Sequence, residues 1–183
     1  EAHKAHGMID AILDRQEIRY SLISLLRRMS PQRQQVTFLR PRGKVTPPKE
    51  RLEPWDAVQR ERRSDRPTAA DYVKILLSDF VELHGDRLSG DDPAILCGVG
   101  SLEGCSVILI GQQRLPDIDG NPHSSYISPE GFRKCQRAMR LAANLGMPLI
   151  TLIDTAGPAI TLQAEEGGLG NAIAGTLALM SGL

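Results

Sequence analysis

Asp154 stands at the end of an apolar run, Leu149-Ile150-Thr151-Leu152-Ile153, and is followed at once by Thr155, Ala156, Gly157 and Pro158. The run reads as a strand buried on both faces of a parallel sheet. In open α/β sheets ligands bind beyond the carboxyl ends of the strands, so a carboxylate placed there is a candidate ligand contact. Gly157, Gly167, Gly168 and Gly170 crowd the same region. Glycine at a strand-to-helix turn lets a ligand come close to backbone N–H groups. Such groups can hold a developing oxyanion, which needs few titratable side chains. Glu165 and Glu166 could act as an acid/base pair. Two carboxylates at a helix start are more simply read as partners of the positive end of its dipole.

Other chemistries find little support. An Asp-x-x-Gly turn after an apolar strand also occurs in GTPases, but these need an upstream Gly-x-x-x-x-Gly-Lys-Ser/Thr loop to cradle phosphates. No such loop occurs in residues 1–153, and no Gly-x-Gly-x-x-Gly follows a strand. Hydrolytic triads lack a nucleophile elbow, and His3, His6, His84 and His123 fall on the tail or in loops. His84, beside Gly85, reads as a partner for the C-terminal end of a helix. Cys97, Cys105 and Cys135 are odd in number and have no CxxC spacing. They read as buried structural residues in a reducing cytoplasm rather than as disulfides or metal ligands.

The elements that must position the turn follow from periodicity and end signals. Residues 68–84 read as a helix capped by Thr68 with Asp71 three residues on, carrying Tyr72, Ile75, Leu76, Phe80 and Leu83 on one face and ending at Gly85. Residues 94–113 read as two strands around a Glu103-Gly104 turn. Residues 114–128, with Asp-Gly-Asn-Pro, read as a mobile loop. A helix runs from a Ser128 cap and Pro129 to Gly146. The strand 149–153 follows, then the turn 154–158 and a last helix near 165–180. The order is helix, hairpin, helix, strand, helix, an α/β domain that does not close on itself.

The first third is different. Residues 1–66 hold 15 Lys/Arg against 9 Asp/Glu, and residues 67–183 hold 7 against 13, so a net charge of zero divides into +6 and −6. Residues 8–29 place Ile9, Ile12, Leu13, Ile18, Leu22, Ile23, Leu25 and Leu26 near a helical stripe, with Asp10 and Asp14 early and Arg27 and Arg28 late. A helix of that length is marginal alone in water, so it should dock on something. Residues 30–66 carry Pro31, Pro41, Pro47, Pro48 and Pro54 with many basic residues, and read as a solvated linker. Only Phe38 and Trp55 could stack on bases, and no nucleic-acid motif is present; Trp55 reads as an anchor of the linker to a surface. No run of 18 apolar residues predicts a membrane span, and "EAHKAHGMID" lacks the apolar core of a signal peptide. A start at Glu1 rather than Met is expected of a fragment or a processed chain.

"PEGFRKCQRAMRLAANLGMPLITLIDTAGPA", followed by "AEEGG", resembles the α part of the carboxyltransferase of bacterial acetyl-CoA carboxylase. "DYVKILLSDFVELHGDR" and "DDPAILCGVGSLEGCSVILIGQQ" resemble the same family's opening helix and hairpin. The order of the turn is Ala-Gly-Pro here, where the family has Pro-Gly-Ala. "GMIDAILDRQEIRYSLISLLRRM" is similar to the C-terminal end of the β part. The resemblance implies a fragment of a fused β–α acyl-CoA carboxyltransferase: residues 1–29 a β-type tail, 30–66 a basic linker, and 67–183 the N-terminal portion of the α-type domain. It implies a crotonase-like (ClpP/crotonase) spiral of ββα units, incomplete in this chain. It implies transfer of a carboxyl group from carboxybiotin, carried on a partner protein, to acetyl-CoA, giving malonyl-CoA for fatty acid synthesis. Gly157 and Ala156 are then catalytic, through backbone N–H groups that stabilise enolate or ureido oxygens. Asp154, Thr155, Pro158, Gly167 and Gly168 bind substrate, and no metal is used in this segment.

The implied partners are the rest of the carboxyltransferase (the β-type domain and the second half of the α-type domain), biotin carboxyl carrier protein and biotin carboxylase, in an oligomer, with no nucleic acid and no membrane. A second Gly-Gly oxyanion loop is expected beyond Leu183, and the β part's four-cysteine zinc module does not occur in the sequence, so this piece alone is expected to be inactive. The alternatives are a crotonase-like hydratase or isomerase, which should bring a catalytic Glu after a Gly-rich loop, and a non-catalytic assembly segment.

Overall fold

The computed structural model describes residues 2–30, 53–61, 63, 65–115 and 126–183. Its centre is a four-stranded sheet in the order β1 (Ser78–Glu82), β2 (Ile95–Leu102), β3 (Cys105–Gln112), β4 (Leu149–Leu152). The first three strands are antiparallel and β4 runs parallel to β3. The β2–β3 hairpin turns through Glu103 and Gly104, both with positive φ (47° and 86°). Helix α5 (Pro129–Leu145) makes the crossover from β3 to β4.

Residues of β2 and β3 alternate between two covered faces. Ile95, Cys97, Val99, Ile108 and Ile110 pack with Cys135, Ala138, Met139 and Ala142 of α5. Leu96, Val107 and Leu109 pack with Ala69, Val73 and Leu77, contributed by α4 (Ala69–Leu76) and the residue after it. A period of two with both faces apolar is what a central strand between helices requires.

Helix α5 starts and stops where its sequence says. The Ser128 hydroxyl accepts from the Gly131 N–H at 3.3 Å, Pro129 opens the first turn, and Gly146 takes a left-handed φ of 60°. Proline lacks only a donor that the first turn leaves orphaned anyway, and glycine carries no Cβ to clash in the left-handed region. The capping box of α4 also forms: Thr68 accepts from Asp71 N–H, and the Asp71 carboxylate accepts from Thr68 N–H at 2.9 Å.

Several expectations are overturned. The helix from Thr68 ends at Leu76, and residues 78–82 form β1 instead of continuing to Gly85. The register against β2 decides this: a Cβ at Gly98 would overlap the Phe80 ring and the Val81 carbonyl, and one at Gly100 would crowd Leu77 and Phe80. The two glycines give Phe80 its seat on the sheet, which outweighs helix propensity. Tyr72, Ile75 and Leu76, expected on the buried face, are exposed; Ala69, Val73 and Leu77 are buried instead. His84 therefore follows a strand, not a helix, and its Nδ1 lies 2.9 Å from Asp91 Oδ2.

β4 is an edge strand with half-buried residues and an exposed Thr151, rather than a strand buried on both faces. The last helix is two: α6 (Leu162–Glu166) and α7 (Leu169–Met180), broken at Gly167–Gly168, where Gly168 has φ 77°. Glu165 and Glu166 thus close a short helix instead of opening a long one, and both are exposed. In the first third, α1 (Ala2–Ala5) and α2 (Arg15–Met29) are helical, but residues 8–14 of the expected stripe are not. Ile12, Leu13, Ile18, Leu22, Ile23 and Leu26 are exposed. α2 does dock within the chain, against β2. Within the stretch read as linker, Pro54–Glu61 forms a helix, α3, and Trp55 on it is 64% exposed rather than anchored. Residues 31–52, including Phe38, lie outside the described residues, as do 116–125 of the 114–128 loop, with His123.

Candidate functional site

The parallel pairing of β3 with β4 brings their carboxyl ends together, so Gln112 and Arg114 sit beside Asp154. The Asp154 N–H donates to Gln112 Oε1 at 3.1 Å. The Asp154 carboxylate accepts no backbone N–H among the described residues. It accepts from Arg114 Nη2 at 2.9 Å and from Arg66 Nη1 at 3.4 Å. Glu61 completes the knot: its carbonyl accepts from Arg66 at 2.7 Å and from Arg114 at 2.9 Å, and its carboxylate pairs with both guanidiniums. Arg114 is largely buried, and its Nε has no acceptor among the described residues. The end of the basic first third is thereby tied to the end of the sheet.

The turn is fixed from within. The Thr155 hydroxyl accepts from the Gly157 N–H at 3.0 Å and donates to the Gly157 carbonyl at 3.2 Å. The Ile127 N–H donates to the Gly157 carbonyl at 3.0 Å, the Ala159 N–H to the Ile127 carbonyl at 2.9 Å, and Ile127 bridges Pro158. Asp154 and Gly157 thus spend their N–H groups on side-chain acceptors, whereas those of Thr155 and Ala156 find no acceptor among the described residues. Gly157 has φ 134°, reserved in practice for glycine, and the place a Cβ would take is open space. Ala156 and Pro158 are exposed, and Thr155 and Gly157 half-buried.

The glycine pair is held by a second charged cluster. The Gly167 carbonyl accepts from Arg133 Nη1 at 3.0 Å, while Arg133 Nε donates to Asp86 at 2.8 Å. Asp86 also accepts from the N–H groups of Leu88, Ser89 and Gly90 at 2.8, 2.8 and 3.0 Å, and from the Ser89 hydroxyl. Burial alone would push this carboxyl up; the Ser89 N–H, Arg133 and the Gly90 and Leu88 N–H groups outweigh it and hold the pKa at about 2. A Cβ on Gly167 would press Pro129 at 3.1 Å, whereas one on Gly168 would meet nothing. The turn, through Ile127, and the glycine pair, through Pro129, therefore both meet the N-terminal end of α5. Asp92 steadies that end by accepting from the Ser128 N–H and hydroxyl, each at 2.8 Å.

The turn and the glycines stand out in the sequence, whereas Arg66, Gln112, Arg114, Arg133 and Asp86 do not. No local pattern links them to the turn; only the strand pairing does. Cys97 and Cys135 are buried and Cys105 is half-buried, all three free. Among the described residues, no group of His, Cys, Asp and Glu could hold a metal ion.

Residues 39–183 match the family model described as acetyl co-enzyme A carboxylase carboxyltransferase-like. The chain belongs to this family. A relative named acetyl-coenzyme A carboxylase carboxyl transferase subunits beta/alpha, from Frankia alni, is 43% identical over 179 residues, covering 94% of this chain and 29% of the relative. The corresponding Parafrankia protein is 49% identical over 132 residues, covering 71% of this chain and 22% of the relative. The alpha subunit of Staphylococcus carnosus is 44% identical over 134 residues, covering 72% of this chain and 42% of the relative. The chain thus spans less than half the length of each of these. Among solved structures, a transcarboxylase 12S aligns with TM-score 0.52 at 18% identity over 67% of this chain and 23% of that one. A single-chain, multi-domain long-chain acyl-CoA carboxylase aligns with TM-score 0.52 at 19% identity over 65% and 11%. The fold is that of the crotonase-like carboxyltransferases, as the resemblance implied. No described helix is long and apolar enough to cross a membrane.

Proposed function

We propose that this chain is part of a carboxyltransferase that moves the carboxyl group of carboxybiotin to acetyl-CoA, giving malonyl-CoA, and that the turn 154–158 faces the biotin. The observation that carries this reading is the turn itself: Gly157 with φ 134° and open space at its Cβ position, next to the N–H groups of Thr155 and Ala156, which find no acceptor among the described residues. Two adjacent donors beside the open Cβ position of a glycine suit a flat ring bearing a carbonyl oxygen, which is what biotin presents. Carboxybiotin, when bound, supplies the carboxyl group. The residues of this chain bind and orient: the Thr155 and Ala156 N–H groups donate to a ligand oxygen, and Gly157 leaves room for close approach. Arg114 and Arg66, through Asp154, fix the strand end that carries the turn. Arg133 fixes the Gly167–Gly168 joint on the other side of the α5 N-terminus.

On this reading residues 1–29 are a β-type tail, 30–66 a linker and 67–183 an α-type portion. The partners are the remainder of both parts, the biotin carboxyl carrier protein and biotin carboxylase, in the cytoplasm. The test is Gly157→Val in the assembled carboxyltransferase, with Gly157→Ala beside it. Because the new Cβ meets no protein atom within 4 Å, the effect of the Ala variant falls on the ligand and on the backbone strain of a positive φ, and the Val variant adds bulk on the same open side. The loss of one oxyanion-type contact predicts kcat lower by roughly 10²–10³ for Val, with KM for acetyl-CoA little changed. A folded, assembled Val variant with an unchanged kcat removes the turn from the site.

A further inference from the structure

The segment ahead of α2 is attached to the loop after β1 and to α5 by a joint that shares no residue with the turn 154–158. Gly7 and Gly85 lie back to back: each has positive φ (66° and 73°), and a Cβ on either would run into the backbone of the other. The Gly7 carbonyl accepts from the Arg87 N–H at 3.2 Å and from Arg87 Nη1 at 2.8 Å. Three residues on, Asp10 Oδ1 accepts from the His84 N–H at 2.8 Å and from Arg137 Nη2 at 3.0 Å, and Asp10 Oδ2 pairs with Arg87. The receiving side is rigid. Arg137 also donates to the carbonyls of His84 and Gly85, at 2.8 and 3.1 Å. Asp91 accepts from the Gly85 N–H at 2.9 Å and pairs at 2.7 Å with Lys134, whose ammonium is buried under the sheet.

The two sides of this joint differ in what they match. The family model begins at residue 39, so His84, Gly85, Arg87 and Arg137 lie inside it and Gly7 and Asp10 outside. The Frankia alni relative, named as beta/alpha subunits, is matched over 179 residues, and the relative named as an alpha subunit over 134. A receptor within the family's α-type region, filled by a segment from outside it, is the arrangement expected where two units joined in one chain here are separate chains elsewhere.

We propose that His84, Gly85, Arg87 and Arg137 form a socket for an acidic Gly-x-x-Asp segment, and that Gly7–Asp10 is its occupant. The joint holds without the covalent connection, so residues 2–30 can be supplied by a separate chain as well as by their own. Recognition has two parts. The glycine pair sets a backbone contact that no side chain tolerates, and the carboxylate pairs with two guanidiniums, Arg87 and Arg137, that have no other carboxylate partner among the described residues. A second contact, Arg28 with Asp79 at 2.5 Å, ties the far end of α2 to β1.

The test uses the full 183-residue chain with a specific protease site inserted between residues 31 and 52. After cutting, the two pieces are passed through a sizing column at micromolar concentration. Their affinity is measured by dilution, and exchange is followed by mixing with an isotope-labelled cut copy. The wild-type pieces are expected to co-elute and to exchange. Asp10→Ala is expected to weaken the association by at least ~10-fold, since removing one partner of a hydrogen-bonded charge pair leaves the other uncompensated. Gly7→Val is expected to abolish it, while Arg28→Ala should have a smaller effect than either. All three changes lie in the small piece, so the large piece is identical throughout and its folding cannot differ by sequence. Separation of the wild-type pieces, from whatever cause, overturns the proposal, as does an Asp10→Ala piece that binds as tightly as wild type.

Discussion

Replacing Asp86 with Asn should flatten the acid limb of the stability curve. The Asp86 carboxylate accepts three backbone N–H groups, one hydroxyl and the Arg133 guanidinium, and its side chain is shielded from solvent. Its pKa is lowered from 3.8 to about 2. The gap between these values corresponds to about 2 kcal/mol of folding stability at neutral pH, at 1.36 kcal/mol per pH unit. The sign follows from the direction. A depressed carboxylate contributes in full above its unfolded value, and the contribution is lost as pH falls from 3.8 through about 2. Asn keeps one acceptor oxygen but carries no charge, so Asp86→Asn should unfold about 2 kcal/mol more easily at pH 7 and converge on wild type near pH 2. Urea midpoints at pH 7, 5, 4, 3 and 2 measure this. Other depressed carboxylates, Asp91 among them, titrate in both proteins, so the difference between the two curves isolates Asp86. Curves that run parallel from pH 5 to pH 2 would show that Asp86 is not what holds the 86–90 loop, and the clamp on Gly167 through Arg133 would fall with it.

Gly98→Ala should destabilise the chain by about 1–3 kcal/mol, because the new methyl overlaps the Phe80 ring and the Val81 carbonyl; equal urea midpoints would contradict that packing. Burial pushes the Cys97 thiol up to about 11 and the Cys135 thiol up to about 12, so both are protonated at pH 8. A thiol reagent should therefore modify half-buried Cys105 first and the other two only on unfolding, as read by mass spectrometry; early labelling of Cys97 refutes the assignment.

What could be read from sequence alone depended on how far apart the deciding residues are. Ser128, Pro129 and Gly146 announce α5 because each acts on its own backbone. The Glu103-Gly104 turn announces the hairpin for the same reason. The stretch after Leu76 fits either a helix or a strand, and the choice is made elsewhere, by Gly98 and Gly100 on β2. The break at Gly167–Gly168 could have been suspected from the paired glycines, but not the Arg133 contact that holds the Gly167 carbonyl. Arg66 lies 88 residues from Asp154, and Arg137 lies 127 from Asp10. Ion pairs at such separations leave no local pattern, so the composition showed a basic first third without showing that its two ends are pinned to the sheet.

The crossover between β3 and β4 also sets a schedule for folding. β2 and β3 are joined by a two-residue turn and can zip within about 1–10 μs of collapse, the time of a hairpin. β4 must wait until the 126–148 stretch has been laid across the sheet, because a parallel pair closes only over its connection. The turn at Asp154–Pro158 inherits that lateness. It lies beyond the last β3–β4 pair and is held at its ends, by the contacts of Asp154 with Arg66, Arg114 and Gln112 and by Ile127, so it is among the last parts of the molecule to form and among the first to open when the native state breathes. Slow amide exchange should therefore begin at β2 and β3 and fade toward the turn, leaving the turn proposed to face the biotin on the most easily reorganised margin of an otherwise stiff sheet.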